Sequence, residues 1–318
     1  MKNNPNFNKQ YFDKEAYDFI HSISLPEEED IPEKKPPKKR YMVIFLTLFA
    51  VLFVAVIRHS TSDDNINNTD RPNLSEYFQS DTKIQKIFTE DEIEERLSLL
   101  AQKDSRYAEV YENKEFFPSD MLQAVCRNPE IIDFAAGYLT SDGTVSGEIT
   151  ADDLSGDDVP LFIQWDSRWG YKQYGDNVIG LSGCGPTCLS MVAVALTGDT
   201  KYSPNYVADF ATKSGYYEDN SGTTWELFTD GCKKFGLHAE ELPLNYNSMV
   251  NALEDGKPII CSMNPGEFTA VGHFIVIKDV KDGDFLINDP NSRSRSSRLW
   301  SYDELEWQIR NLWCFFNT

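Results

Sequence analysis

Cys184 stands between two glycines in Gly183-Cys184-Gly185-Pro186-Thr187, and an almost wholly apolar run follows it: Cys188, Leu189, Met191, Val192, Ala193, Val194, Ala195 and Leu196. Pro186 suits the first turn of a helix, where backbone N–H groups have no intrahelical partner. Gly198 suits the C-terminal cap of the same helix. The pattern therefore predicts a buried helix with Cys184 at its positive, N-terminal end. A thiol so placed is easier to ionise, and the thiolate is the nucleophile. The flanking glycines leave room for a substrate carbonyl to approach. Taken alone, the motif suits a plain buried cysteine at a helix start equally well, so its partners decide the chemistry.

Two further segments supply candidates. Gly272-His273-Phe274-Ile275-Val276-Ile277 has the pattern of a strand with a histidine at its beginning. Phe285-Leu286-Ile287-Asn288-Asp289-Pro290-Asn291 has that of the next strand, ending in an Asp-Pro turn. Lys281-Asp282-Gly283-Asp284 between them is a hairpin signal. Antiparallel strands joined in this way can set His273 beside Asp289, giving a general base and a group to orient it. Asn288 and Asp289 are neighbours at a strand end, so their side chains point to opposite faces and only one can meet His273. A carboxylate both fixes the imidazole tautomer and stabilises the imidazolium, which favours Asp289.

Residues 159–316 resemble the C39-like, papain-like cysteine peptidases of bacteria. The resemblance rests on Val159-Pro160-Leu161-Phe162-Ile163-Gln164-Trp165-Asp166 with Arg168-Trp169-Gly170, then Ser182-Gly183-Cys184-Gly185-Pro186-Thr187. It continues in Gly266-Glu267-Phe268-Thr269, Gly272-His273-Phe274 and Asn288-Asp289-Pro290-Asn291. Gln, Cys, His, Asp is also the order of such enzymes. The resemblance implies Cys184 as nucleophile, His273 as base, Asp289 as orienting acid and Gln164 as a donor to the oxyanion. A loop containing Lys172, Tyr174, Gly175 and Asn177 separates Gln164 from Cys184, so Gln164 is also open to a plainer role, bonding backbone near the site. The backbone N–H of Cys184 would be the other oxyanion donor.

The net charge of −21 argues against nucleic acid as a partner, and against an anionic wall polymer or lipid surface. Residues 1–40 carry acidic and basic side chains in equal number, so the surplus belongs to the later part of the chain. The stretch 41–57 is unbrokenly apolar and lies at the short end of the roughly 17–25 residues that span a bilayer. Arg40 and Arg58 flank it, and Lys34, Lys35, Lys38 and Lys39 crowd its N-terminal side. The positive-inside rule then puts the N-terminus in the cytoplasm and the large C-terminal part outside the cell. A cleaved signal peptide fits less well, because the polar region before the span is long and no Ala-x-Ala site follows.

The six cysteines (126, 184, 188, 232, 261, 314) show no paired metal-ligand spacing, and neither a metal nor a cofactor is expected. Cys188, Cys261 and Cys314 suit small buried apolar positions. Residues 1–40 are polar and proline-punctuated, as in a disordered tail. An extracellular spacer (58–82) follows the span. A helical accessory region (83–140) comes next, with Ile93, Leu97, Leu99 and Leu100, then Met121, Leu122, Ala124 and Val125, then Ile131, Ile132, Phe134 and Ala135 at helical spacing. An acidic, solvated linker (141–158) leads to the peptidase-like domain (159–318). In that domain helices starting at Ser203-Pro204 and at Thr224-Trp225, the latter capped by Gly236, precede a buried strand at 258–263. Helices first and antiparallel strands second make an α+β arrangement.

The expectation is thus a membrane-anchored extracellular cysteine peptidase acting on a peptide or protein substrate. The same Cys-His-Asp set would also serve a cell-wall peptide amidase, an endopeptidase or an acyl transferase, since it attacks any acyl carbon. A non-catalytic peptide-binding protein on the same fold is a third alternative.

Overall fold

The three-to-four-residue apolar spacing between 90 and 138 is realised as four helices in a computed structural model that describes residues 84–156, 158–219 and 221–317, together with Leu74 and Phe78. The tail at 1–40, the apolar stretch at 41–57 and nearly all of the spacer lie outside the described residues. Helix α1 (Glu90–Ala101) opens with a capping box: Thr89 Oγ1 accepts from the Glu92 N–H at 3.3 Å, and the Glu92 carboxylate accepts from the Thr89 N–H at 3.0 Å. Asp104 caps α2 (Ser105–Glu112) through the Arg106 N–H. Pro118 precedes α3 (Ser119–Arg127), and a single 3₁₀ turn leads into α4 (Ile132–Tyr138).

The apolar faces of α1–α4 close on a core that includes Leu97, Leu100, Tyr107, Val110, Met121 and Val125. Ile163, Trp165 and Val178, from the part of the chain that carries Cys184, complete the same core. The helical region is therefore packed into the rest of the fold and has no separate interior. The acidic segment at 141–158 also lies against it. The Gly147 N–H donates to the Arg168 carbonyl at 2.8 Å, and Ile149 packs on a second core. Asp153 accepts from Arg168 at 2.6 and 2.9 Å, and that guanidinium holds its carboxyl down at about 2. Arg168 holds this acidic segment at two points, the Glu148 carbonyl at 3.2 Å and the Asp153 carboxylate.

Two short hairpins follow, β1 (Gln173–Tyr174) with β2 (Asn177–Val178), and β3 (Tyr217–Glu218) with β4 (Gly222–Thr223). Between them lie the helical turn α5 (Ile179–Ser182) and helices α6 (Cys184–Thr197) and α7 (Pro204–Lys213). Helix α6 is buried on all sides from Gly185 to Val194, as an apolar helix without a polar face must be, and it packs against α7 and the main sheet. Gly198 ends it in the left-handed conformation at φ 70°. The helix expected from Thr224 to Gly236 is broken: α8 (Glu226–Thr229) passes into a 3₁₀ turn at Gly231–Phe235 before Gly236 turns left-handed.

The main sheet is antiparallel and six-stranded: β5 (Leu237–Glu241), β6 (Ile259–Met263), β7 (His273–Lys281), β8 (Asp284–Asn288), β9 (Leu299–Trp300) and β10 (Ile309–Asn317), in the spatial order β5-β10-β6-β7-β8-β9. The β7–β8 turn has Asp282 at φ 55° and Gly283 at φ 89°, the two left-handed positions that a tight two-residue hairpin requires. Strands β5 and β10 add to the sequence expectation. The fold is mixed helix and sheet, helices largely before strands. Among the described residues no helix is long and apolar enough to cross a membrane; the stretch at 41–57 is not among them.

Candidate active site

Cys184 is the first residue of α6 and is half-buried, whereas Cys126, Cys188, Cys232, Cys261 and Cys314 are buried. None of the six forms a disulfide. Burial pushes the Cys188 and Cys261 thiols far up and those of Cys126 and Cys232 to about 11, so these four are poor nucleophiles at neutral pH. The glycines around Cys184 serve the protein's own packing. A Cβ on Gly183 would stand 2.6 Å from the Ile179 carbonyl oxygen, and one on Gly185 would stand 2.6–2.7 Å from Thr223. The space expected for a substrate carbonyl is, at both Cβ positions, already filled. Thr223 in turn shares a 2.7 Å hydrogen bond with the buried phenol of Tyr174.

His273 begins β7 and Asp289 follows the last residue of β8. The strands pair with Val276 opposite Asn288, which brings His273 and Asp289 to the same end of the hairpin. His273 Nε2 donates to Asp289 Oδ1 at 2.8 Å, and both residues are buried. That bond leaves Nδ1 free of Asp289, and the Cys184 thiol is near enough to the ring to favour its protonated form. Burial pulls the imidazole down, but the Asp289 carboxylate and then Cys184 outweigh it and hold His273 up at about 9. Burial pushes the Asp289 carboxyl up, but Arg295, His273 and the Asn291 N–H outweigh that and hold it at about 2. Asn288 faces away: its amide donates to the carbonyls of Val159 and Pro160, both at 3.0 Å.

Gln164 lies beside this group, tied by its backbone N–H to the Pro290 carbonyl at 2.7 Å. Its side-chain amide donates to the carbonyls of Gly180 at 3.0 Å and Leu181 at 3.3 Å, while Oε1 is buried without a partner. Both amide hydrogens are thus engaged by backbone.

Sequence reasoning missed Arg295, whose Nε donates to Asp289 Oδ2. It also missed Ser296, whose Oγ accepts from the Asp289 N–H at 2.8 Å. The Arg-Ser-Arg-Ser-Ser run at 293–297 was the signal available, a basic cluster directly after the Asp-Pro turn of an acidic chain. Among the described residues no group of His, Cys, Asp and Glu is arranged to hold a metal ion.

Comparison with known proteins gives the arrangement a context. The model of the Peptidase_C39 like family matches residues 156–314, half of the chain. Among solved structures, the peptidase domain of Streptococcus ComA, a bi-functional ABC transporter involved in a quorum sensing pathway, is similar at 21% identity. That match covers 42% of this chain and 90% of the other, with a TM-score of 0.34. A C39-like peptidase candidate from Bacillus anthracis is similar at 16% identity, over 49% of this chain and 94% of the other, with a TM-score of 0.29. No curated protein matches the sequence.

Proposed function

The chain belongs to the Peptidase_C39 like family, and from that premise we propose that it is a cysteine peptidase whose nucleophile is Cys184. The observation that carries the reading is the buried His273–Asp289 pair, bonded at 2.8 Å, with Cys184 at the first turn of α6 close enough to the ring to raise its pKa. In the acylation step the Cys184 sulfur attacks the peptide carbonyl carbon. The proton on His273 passes to the departing amine nitrogen as the C–N bond breaks, leaving a thioester. Water then gives a proton to His273, its oxygen attacks the thioester carbon, and the C–S bond breaks to release the acid. Asp289 keeps the ring oriented and stabilises the imidazolium throughout.

The tetrahedral oxyanion takes the Cys184 backbone N–H, which at the first helical position has no intrahelical acceptor. Gln164 is the second donor in this proposal. It serves once a substrate oxygen displaces the Leu181 carbonyl, the longer of its two contacts at 3.3 Å. Losing one such donor costs roughly 2.7–4 kcal/mol of transition-state stabilisation.

Incubation of the full-length protein with a peptide library tests the reading. Cleavage by wild type and none by Cys184→Ala is expected. A peptide-binding protein without catalysis would bind library members and cleave none.

The proposal extends to topology. The stretch 41–57 spans the membrane once, with the basic cluster at 34–40 in the cytoplasm and the catalytic part outside. Protease added to intact cells should then remove an epitope fused after Thr318. An epitope protected until lysis would reverse the orientation.

A further inference from the structure

We propose that Glu130, together with Asn128, is a positioning residue for Asp289, so that the helical region is part of the catalytic machinery and not an appendage to it. The inference rests on the cysteine-peptidase reading and adds a component that lies outside the 156–314 span matched by the family.

Glu130 sits in the turn between α3 and α4. Its carboxylate accepts four hydrogen bonds from one short stretch: Ser292 Oγ at 2.6 Å, Ser294 Oγ at 2.8 Å, and the N–H groups of Arg293 at 2.8 Å and Ser294 at 3.2 Å. Four is about the full acceptor capacity of a carboxylate. Asn128 is buried, donates to the Asn291 carbonyl at 2.7 Å and accepts from the Glu130 N–H at 3.0 Å, so the two grips are locked to each other. The intervening Pro129 restricts the backbone between them.

The gripped stretch is the one that orients Asp289. The Asn291 N–H donates to Asp289 Oδ1 at 2.8 Å, the same oxygen that accepts from His273. Arg295, in the one-turn helix α9 (Arg293–Ser296), donates to Oδ2. Ser296 Oγ accepts from the Asp289 N–H and donates to the Ser292 carbonyl at 2.7 Å, closing the loop on itself. Each carboxylate oxygen of Asp289 is therefore aimed by a residue whose own place is set by Asn128 and Glu130.

The test uses full-length protein and the rate of Cys184 alkylation by iodoacetate across pH, read by mass spectrometry. A protonated His273 draws in the anionic reagent, so the rate has an alkaline limb that reports His273 and disappears in His273→Ala. Glu130→Ala and Asn128→Ala should each lower that limb by about one pH unit, about tenfold in the proton equilibrium, with slower alkylation at neutral pH. Asn128 carries no charge, so a shift there is one of position. A limb left in place in folded Glu130→Ala, or one moved by Glu130→Ala but not by Asn128→Ala, overturns the proposal. Should Glu130→Ala fail to fold, Glu130→Gln keeps an acceptor for the serine hydroxyls and loses the one for the Arg293 N–H. An intermediate shift is expected from it, and wild-type behaviour refutes the role. A wild-type profile with no limb that His273→Ala removes sinks the cysteine-peptidase reading itself, and the inference with it.

Discussion

Replacing Asp289 by asparagine keeps the side-chain shape and removes the charge that faces His273. His273 stands at about 9 against an ordinary 6.5, although burial alone would put it below 6.5. Asp289 is the main upward cause, so Asp289→Asn should return the imidazole to 6.5 or lower. The difference is about 3 kcal/mol between protonation states. At pH 7.5 the imidazolium share then falls from nearly all molecules to about a tenth or less. The asparagine amide would also meet the Arg295 N–H donor to donor, which disturbs the loop further. The alkaline limb of Cys184 alkylation by iodoacetate should move from near 9 to below 6.5. Stability should follow with a definite sign. A histidine with a raised folded value contributes fully below its unfolded value, and the contribution is lost as pH rises through the folded one. Wild type should thus lose up to about 3 kcal/mol between pH 6.5 and 9, and Asp289→Asn should lack that slope. Denaturant titrations at several pH values measure it. An alkaline limb that stays near 9 in a folded Asp289→Asn protein would refute the claim that Asp289 governs His273.

Iodoacetamide at neutral pH should label Cys184 alone among the six thiols, because the other five are buried; labelled Cys188 or Cys232 with unlabelled Cys184 in a mass spectrum would contradict this. Gly185→Ala should lower the melting temperature through overpacking against Thr223, at a cost of about 1–3 kcal/mol, and Thr223→Gly should restore part of it. Asn288→Ala should cost stability, by about 1–3 kcal/mol for the two buried carbonyls it leaves unpaired. Cys184 alkylation should survive that change in the folded protein, whereas a collapse of the alkylation profile would mean that Asn288 acts on the site.

Readability from sequence followed the range over which each feature is specified. The start of α6, its Gly198 cap and the Asp282-Gly283 turn are local, because each depends on residue types that few backbone conformations accept. The nearness of His273 and Asp289 follows from that turn and two short strands. What escaped was non-local. Strand β10 pairs on both edges with β5 and β6, yet Ile309–Asn317 lacks the strict alternation that would set a strand apart from a buried helix. The Arg168–Asp153 pair and the hold of Glu130 on 292–294 join segments whose proximity exists only after folding. Gln164 was legible as a polar residue near the site. The direction of its amide was not, because the carbonyls of Gly180 and Leu181 belong to a turn with no side-chain signature. The two glycines beside Cys184 showed that close approach was needed, but not that Ile179 and Thr223 were what approached.

The clasp of Arg168 on Asp153 bears on what happens when the chain is cut. Ser155, Gly156 and Asp158 are exposed just beyond the clasp, so a host protease would find its bond there. Such a nick would sever the helical segment from the Cys184-bearing segment in covalent terms only. Upstream, Ile149, the Gly147 N–H, Glu130 and the core under α1–α4 would all still be docked. The product would be a two-chain particle that migrates as two bands under denaturing electrophoresis and as one species in native sedimentation. The two pieces, expressed separately, make a natural pair for fragment complementation.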